Sequence, residues 1–326
     1  MPTELNASTP SWPTGDMPPL VSVVIPNYNR DEELRRAIKS VLGQTYSHFE
    51  IIIVDDGSSI DVASLIAEFH DERIRLIQLP GRSGAAVARN RGIAEANGLY
   101  IAFLDSDDEW FSEKLAAQVE AARGFGDTKD FLAAHALEIV DGGPRRENPT
   151  RAPRAQEPIG EYLFVSGQNL QTSSLFGPTR LFRKLGFRPE LKRHQDWDLI
   201  LRIAFAGVPL LYTNKALARY INVNASNRIS RNDDPAFSAA WIKNLAGATA
   251  STRAAFMIRV VMPQLVNLDR RGEAFSLLLK NWRAAKFPLT SLARLSAKAF
   301  FPSTYTASIR TATRTKNLFS SRRVEA

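Results

Sequence analysis

Acidic residues gather in two places in the first third of the chain. Asp105-Ser106-Asp107 sets two carboxylates two residues apart, with Asp108 following, and Asp55-Asp56-Gly57-Ser58 sets two side by side. Two carboxylates at the first spacing can face one hard cation, and such oxygen donors suit Mg²⁺ or Mn²⁺, whose open positions a diphosphate can fill. The adjacent acids suit the N–H of a nucleobase or the hydroxyls of a ribose. Both clusters also fit a plainer description. Asp and Gly after a strand is ordinary turn chemistry, and Asp108 or Ser112 can cap a following helix.

Three further groups could complete a site. Tyr28 has a ring that can stack on a base. Arg89 can reach a phosphate or clamp Asp55 or Asp105, or it can face solvent. The preceding Gly81-Arg82-Ser83-Gly84 loop resembles an anion cradle. It is not GxGxxG and does not follow the first strand, so a dinucleotide fingerprint is not supported. His194-Gln195-Asp196-Trp197-Asp198 opens a helical pattern. A hydroxyl is a very weak acid, so its proton must leave as a new bond forms, and a carboxylate here can take it. An Asp at a helix start also serves as a cap and meets the helix dipole.

These residues need elements to position them. Val21–Ile25, ended by Pro26, Ile51–Val54, Ile74–Leu79 and Tyr100–Leu104 read as buried strands. Helical spacing falls between them, at Glu32–Leu42, Val62–Phe69 and Ala85–Ala96. Such alternation predicts an α/β fold, a mostly parallel sheet with helices on both faces. Ligands in such sheets bind at the carboxyl ends of the strands. Pro26-Asn27-Tyr28-Asn29, Asp55–Ser58 and Asp105–Asp108 all lie there. Further on, helices are predicted at Glu113–Arg123, Pro178–Leu185 and Asp196–Ala206, a strand at Leu170–Phe176, and a loop at Asp141–Pro158. From Pro235 the chain reads as amphipathic helices at Pro235–Ala250, Thr252–Leu268, Gly272–Ala285 and Leu289–Phe300.

Composition removes several classes of function. The 326 residues contain no cysteine, which excludes disulfides, thiolate metal sites and cysteine nucleophiles. The four histidines, His48, His70, His135 and His194, show no metal-ligand spacing. No apolar run nears the ~18 residues of a spanning helix, and residues 1–18 lack a secretory pattern. A cytoplasmic location is expected. The net charge of +8 is uneven: the stretch from Lys280 onward holds ten of the 42 Lys and Arg but one of the 34 acids, leaving 32 against 33 before it. With no nucleic-acid motif and a neutral body, nucleic acid is not an expected partner. Lys280, Arg283, Lys286, Arg294 and Lys298, alongside Trp282, Phe287, Phe300 and Phe301, suit either an anionic membrane face or an ordinary packed helical region.

Taken together and in order, VSVVIPNYNR (21–30), SVLGQTY (40–46), EIIIVDDGS (50–58), GAAVARNRGI (84–93), YIAFLDSDDEW (100–110) and QDWDLILR (195–202) resemble the family 2 glycosyltransferases of GT-A fold, and among them bacterial cell-surface polysaccharide and lipopolysaccharide transferases. The resemblance covers about 19–220. It implies a GT-A catalytic domain over 19–232 between a loose tail at 1–18 and a helical region at 233–300, with a basic tail at 301–326. It implies an inverting, metal-dependent transfer from a nucleoside-diphosphate sugar, a UDP-sugar by expectation, to a saccharide or lipid-linked saccharide. Mn²⁺ or Mg²⁺ would be the cofactor. Tyr28 would stack on the base and Asp56 would bind it, with Pro26, Arg89, Asp105 and Ser106 completing the nucleotide-sugar site. Asp107 would bind the metal directly. Asp105 would serve the ribose or a metal-bound water. Asp196 would be the base, with Trp197 beside the acceptor.

Two departures from the family pattern stand out. Gln195 occupies a position that is Glu in many relatives. No His follows Arg219-Tyr220, which leaves Asn222, Asn224 or Arg228 to serve near the diphosphate. Two rival readings are a nucleotidyltransferase that makes the nucleotide-sugar and a non-catalytic binding protein. The first usually carries a glycine-rich, Lys/Arg-bearing loop after strand one, where this chain has Pro26-Asn27-Tyr28-Asn29. Intact acids at three sites count against the second.

Overall fold

The computed structural model describes residues 18–125, 129–222 and 233–301. The two stretches expected to be loose lie outside these residues, except for Pro18 and Phe301. Two compact units form, one within Met1–Ile159 and Gln168–Ile229, the other within Gly160–Gly167 and Ser230–Ala326. Elements are numbered in chain order.

The first unit holds a nine-stranded mixed sheet in the order β3-β2-β1-β4-β8-β6-β9-β5, with β7 paired to β6. Its first half is parallel: β1 (Val21–Asn27), β2 (Phe49–Asp55), β3 (Ile74–Gln78) and β4 (Tyr100–Phe103). Between them run α1 (Glu32–Leu42), α2 (Val62–Ala67) and α3 (Ala85–Glu95). β1 is buried along its whole length, as a central strand covered on both faces must be. α1 buries Leu34, Ala37, Ile38 and Val41, one stripe at helical spacing. After β3 the chain crosses back over β1 to place β4 on its other side. The carboxyl ends of β1 and β4 therefore form a topological switch point, where open sheets bind ligands.

Pro26 does not end β1, which runs on to Asn27. Leu104 N donates to Val24 O, so the residue two further on faces the same side, where β4 has already ended. A proline is tolerated there because no ladder partner awaits its missing N–H.

The second half of the sheet departs further from expectation. β5 (Glu109–Trp110), α4 (Lys114–Arg123), β6 (Leu132–Val140), β7 (Arg146–Asn148), β8 (Phe176–Pro178), α6 (Thr179–Leu185), α7 (Gln195–Phe205) and β9 (Leu210–Ile221) follow in order. β6 and β9 are the long strands absent from the sequence reading. β7 lies inside the expected loop. The strand expected at Leu170–Phe176 is a 3-10 turn at Thr172–Ser174 leading into β8. That turn is fully buried, and its Ser173 hydroxyl reaches the site described below.

The second unit comprises α5 (Ile159–Phe164, from its second residue), α8 (Pro235–Asn244), α9 (Ala250–Phe256), α10 (Met262–Asn267), α11 (Arg271–Asn281) and α12 (Leu289–Phe300). The helix expected at Pro235–Ala250 stops early. Gly247 turns the chain at φ +84°, and the Thr249 hydroxyl accepts from Thr252 N to cap α9. The helix expected at Thr252–Leu268 widens into a π-turn at Met257–Val261 before Pro263. A proline ring clashes with the carbonyl four residues back, and a wider turn relieves that clash. The segment 160–167 sits tightly here. Arg259 donates to the carbonyls of Phe164 and Val165, and Phe164 meets Phe256 edge-on at 5.0 Å. A Cβ on Gly160 would lie 2.4 Å from Thr252, and one on Gly167 2.6 Å from Arg259. Among the described residues no helix is long and apolar enough to cross a membrane.

Candidate active site

The end of β2 builds a turn before it offers any ligand surface. Asp55 is buried and accepts from Ser58 N and the Ser58 hydroxyl, with Asn27 Nδ2 at 3.4 Å. Gly57 follows at φ +74°, and a Cβ there would stand 2.7 Å from the Gly81 backbone. Only glycine meets both conditions. Asp56 accepts from Ser83 N at 2.6 Å and from Gly84 N at 2.7 Å. Gly84 caps α3, so this carboxylate sits at the positive end of that helix. The expected anion cradle at Gly81–Gly84 is therefore corrected: the anion it holds is Asp56. Each Asp56 oxygen keeps a second lone pair for the base assigned to it by resemblance. Tyr28 borders the same loop, with the Arg82 guanidinium 4.5 Å from its ring centroid.

Arg89 ties the site together. It projects from α3, is 7% exposed, and donates from Nη2 to Asp105 at 2.6 Å and from Nη1 to Gln195 Oε1 at 2.9 Å. Phe187 lies beneath its guanidinium at 5.1 Å and holds the fork in plane. Gln195 uses its other end to donate to Leu191 O at 2.7 Å. The amide thus fills the position that is Glu in many relatives with one acceptor toward Arg89 and one donor toward the backbone. A glutamate would lose the second bond.

The four-residue acidic loop divides three ways. Asp105 faces Arg89. Asp107 pairs with Arg30 at 2.5 Å across from the end of β1, with both side chains partly exposed. Asp108 is 1% exposed, accepts from the Ser173 hydroxyl at 2.5 Å and from Ile221 N at 3.2 Å, and so belongs to the framework. Ser173 also accepts from Asp105 N at 3.1 Å, and its carbonyl takes the Trp110 indole N–H at 3.0 Å. Ser106 is buried. Replacing Ser173 with Ala should cost about 1–3 kcal/mol, because Asp105 N and Asp108 both lose a buried partner. Urea denaturation would measure it, and an unchanged midpoint would refute the role.

Asp196 opens α7, half-buried, and accepts from Trp197 N at 2.8 Å. Burial pushes its carboxyl up to about 6, the Trp197 N–H and Arg89 pull it down, and Asp105 pushes it up again. Trp197 is anchored on both sides. Its indole N–H donates to Asn169 at 3.0 Å, and its ring stacks on His194 at 5.3 Å. Burial holds His194 near 3, well below the usual imidazole range, so it stacks as a neutral ring. Asp198 is fully buried and bound by Arg188 and Arg202, which fixes the start of α7. Substituting Gln195→Glu should move the acidic limb of the pH–rate profile upward from about 6, since a second carboxylate beside Asp196 disfavours its ionisation. A limb that stays or falls would contradict the placement.

The end of β9 reaches the same edge through Ile221 N and Asp108. Asn222 follows it and donates from its N–H to Val140 O. Arg219 is committed to Glu138 and Glu109. Asn224 and Arg228 lie outside the described residues. The sequence reading missed Arg30, Ser173, Asn169 and Phe187. Arg30 alone left a signal, as a cation just past the end of β1.

Carboxylates suited to a divalent ion, a buried arginine between two of the site's polar groups, and a carboxylate of raised pKa at the start of α7 thus gather at one edge of the α/β sheet. The family model "Glycosyl transferase family 2" matches residues 22–187, and the chain belongs to that family. It is 32% identical over 229 residues to the amylovoran biosynthesis glycosyltransferase AmsB of Erwinia amylovora, covering 68% of this chain and 76% of that one. It is 44% identical over 100 residues to the UDP-Glc:alpha-D-GlcNAc-diphosphoundecaprenol beta-1,3-glucosyltransferase WfgD of Escherichia coli, covering 31% and 40%. The fold matches that of S. aureus TarS 1–349, solved in complex with UDP-GlcNAc, with a TM-score of 0.59, 17% identity and 81% of each chain covered.

Proposed function

We propose that this glycosyltransferase moves a sugar from a UDP-sugar, with inversion at the anomeric carbon, to a hydroxyl of a saccharide or lipid-linked saccharide at the cytoplasmic face of the membrane. The observation that carries the reading is Arg89. It joins the acidic loop after β4 to the start of α7, so a donor held at one and a base at the other share one rigid frame.

Asp196 takes the proton of the acceptor hydroxyl as the oxygen attacks the anomeric carbon. Attack from the side opposite the departing diphosphate gives inversion, through an oxocarbenium-like state. Proton transfer by a group with a pKa near the working pH is efficient, and about 6 meets that condition. Arg89 supports the diphosphate end, where fixed positive charge acts most strongly as negative charge builds. Trp197, held by His194 and Asn169, offers a flat apolar wall to a sugar ring. Tyr28 and Asp56 take the base.

A divalent ion fits this donor set. Among the described residues no group of three or more His, Cys, Asp or Glu converges, while Asp105 and Asp107 supply hard oxygens on one loop. Ions such as Mn²⁺ and Mg²⁺ are often held by one or two carboxylates plus substrate phosphates. When bound, it would neutralise charge on the leaving diphosphate. The substrates in WfgD's name and the UDP-GlcNAc bound to TarS support the choice of a UDP donor and of a lipid-diphosphate acceptor.

The test is a screen of UDP-, dTDP- and GDP-sugars, with and without Mn²⁺, reading thermal shift and sugar transfer to a polyprenyl-diphosphate-linked saccharide. One UDP-sugar should stabilise the protein and be consumed. Pyrophosphate release from a nucleoside triphosphate and a sugar phosphate would instead establish a nucleotidyltransferase.

A further inference from the structure

α11 is apolar on two sides. Ala274 and Leu277 face inward and are buried. Phe275, Leu279 and Trp282 follow at i, i+4 and i+7 and share the opposite face, within an arc of about 60°. Their exposures are 54%, 58% and 38%. Phe275 also touches Phe300 of α12 at 6.4 Å, and the next residue, Phe301, is 64% exposed. The three outward side chains are large, neighbouring and unshielded, whereas single exposed apolar residues on a surface need no explanation.

The charges around this face point to its partner. Arg283 lies on its flank, Lys280 follows about 60° further round the helix, and Arg271 stands at the helix start. Arg283 lies 5.1 Å from the Trp282 ring and leaves its charge at the edge of the apolar stripe. On α12, Arg294 and Lys298 are exposed as well. From Arg271 to Phe301 the chain has one acid, Glu273, and Arg270 neutralises it at 2.7 Å. Arg271 pairs with Asp269 at 3.5 Å, which leaves Lys280, Arg283, Arg294 and Lys298 as the charges beside the stripe. An apolar stripe with aromatic residues and a surplus of cations beside it matches the interfacial layer of an anionic bilayer. A second copy of this chain would bring the same cations against themselves, which disfavours self-pairing.

We propose that the outward face of α11, with Phe275, Leu279 and Trp282 inserted and Lys280 and Arg283 at the headgroups, docks this protein on an anionic membrane surface. The proposal deepens the lipid-linked acceptor reading, and its test is independent of the transfer chemistry. Full-length protein is co-sedimented with vesicles of phosphatidylethanolamine and phosphatidylglycerol, and with vesicles of phosphatidylcholine alone. Binding should be confined to the anionic vesicles and weaken as salt rises.

The triple variant F275S/L279S/W282S should lose about 10-fold or more in partitioning, and K280E/R283E a similar amount. Both should keep the wild-type thermal shift with UDP-sugar, since the altered side chains are on the surface. Equal partitioning by the triple variant and the wild type would overturn the proposal. So would a wild-type dimer in sedimentation velocity that the triple variant dissociates, because the face would then join two copies. Loss of UDP-sugar binding by the wild type itself would instead count against the donor assignment.

Discussion

Replacing Asp196 with Asn should lower turnover by about 10²–10⁴-fold, the range for a lost general base, with donor affinity nearly unchanged. The geometry separates this outcome from a folding defect. Burial is the main cause of the raised carboxyl, so the charged form is the one the folded site tolerates least. A carboxyl whose pKa is higher folded than unfolded binds more protons when folded. It therefore withdraws stability as pH rises through the window between about 4 and 6. A neutral amide of the same shape should leave the melting temperature at neutral pH unchanged or raised. In the wild type, kcat/KM should fall as pH drops below about 6, as the base takes up its proton. The Asn variant should lose that limb. Full activity in the variant, or a limb that persists in it, would remove Asp196 from the role.

A second pair of substitutions should split two neighbouring acids. Asp107→Asn should cost little stability, because its ion pair with Arg30 is partly exposed and such pairs are worth about 0–1 kcal/mol. It should nevertheless reduce turnover on the order of 10³-fold, the effect of several kcal/mol of lost charge stabilisation. The Mn²⁺-dependent part of the thermal shift with UDP-sugar should also disappear. Asp108→Asn should do the reverse in kind. One of its oxygens accepts from the buried Ser173 Oγ and the other from the half-buried Ile221 N, and an amide places its own N–H₂ against one of them. That should cost about 1–3 kcal/mol in urea unfolding. If the two variants behave alike, the division of the acidic loop is wrong.

How much of this was legible in the sequence depended on how local the cause was. β1, β2, β3 and β4 are short runs rich in apolar residues between helices of clear period, and their order places Tyr28, Asp56 and Asp105 at one edge. β6 was hidden because Leu132–Val140 carries six helix-favouring residues, three Ala, two Leu and a Glu, and becomes a strand only through β8, β7 and β9 beside it. β9 contains Asn214, Lys215 and Arg219 and shows no clean alternation. Arg89 was readable as a clamp, but its hold on Gln195 spans 106 residues and needed the fold. Ser173 was invisible for the same reason, since nothing around a serine in a 3-10 turn announces that it will hold Asp105 and Asp108. The cradle at Gly81–Gly84 was misread because a helix N-terminus attracts any anion, and the nearest one is in the chain itself.

The seating of residues 160–167 has an evolutionary consequence. By the division of the chain into its two units, the polypeptide enters the second at 159–160, leaves it at 167–168, and belongs to it again where the described residues resume at 233. Tyr162, Leu163 and Phe164 are at most 2% exposed where they lie. A chain cut before Asp233 would strip Phe164 of Phe256 and Arg259, so the helical part is not a detachable appendage. To exchange this unit intact by recombination would mean exchanging two separate stretches of chain at once.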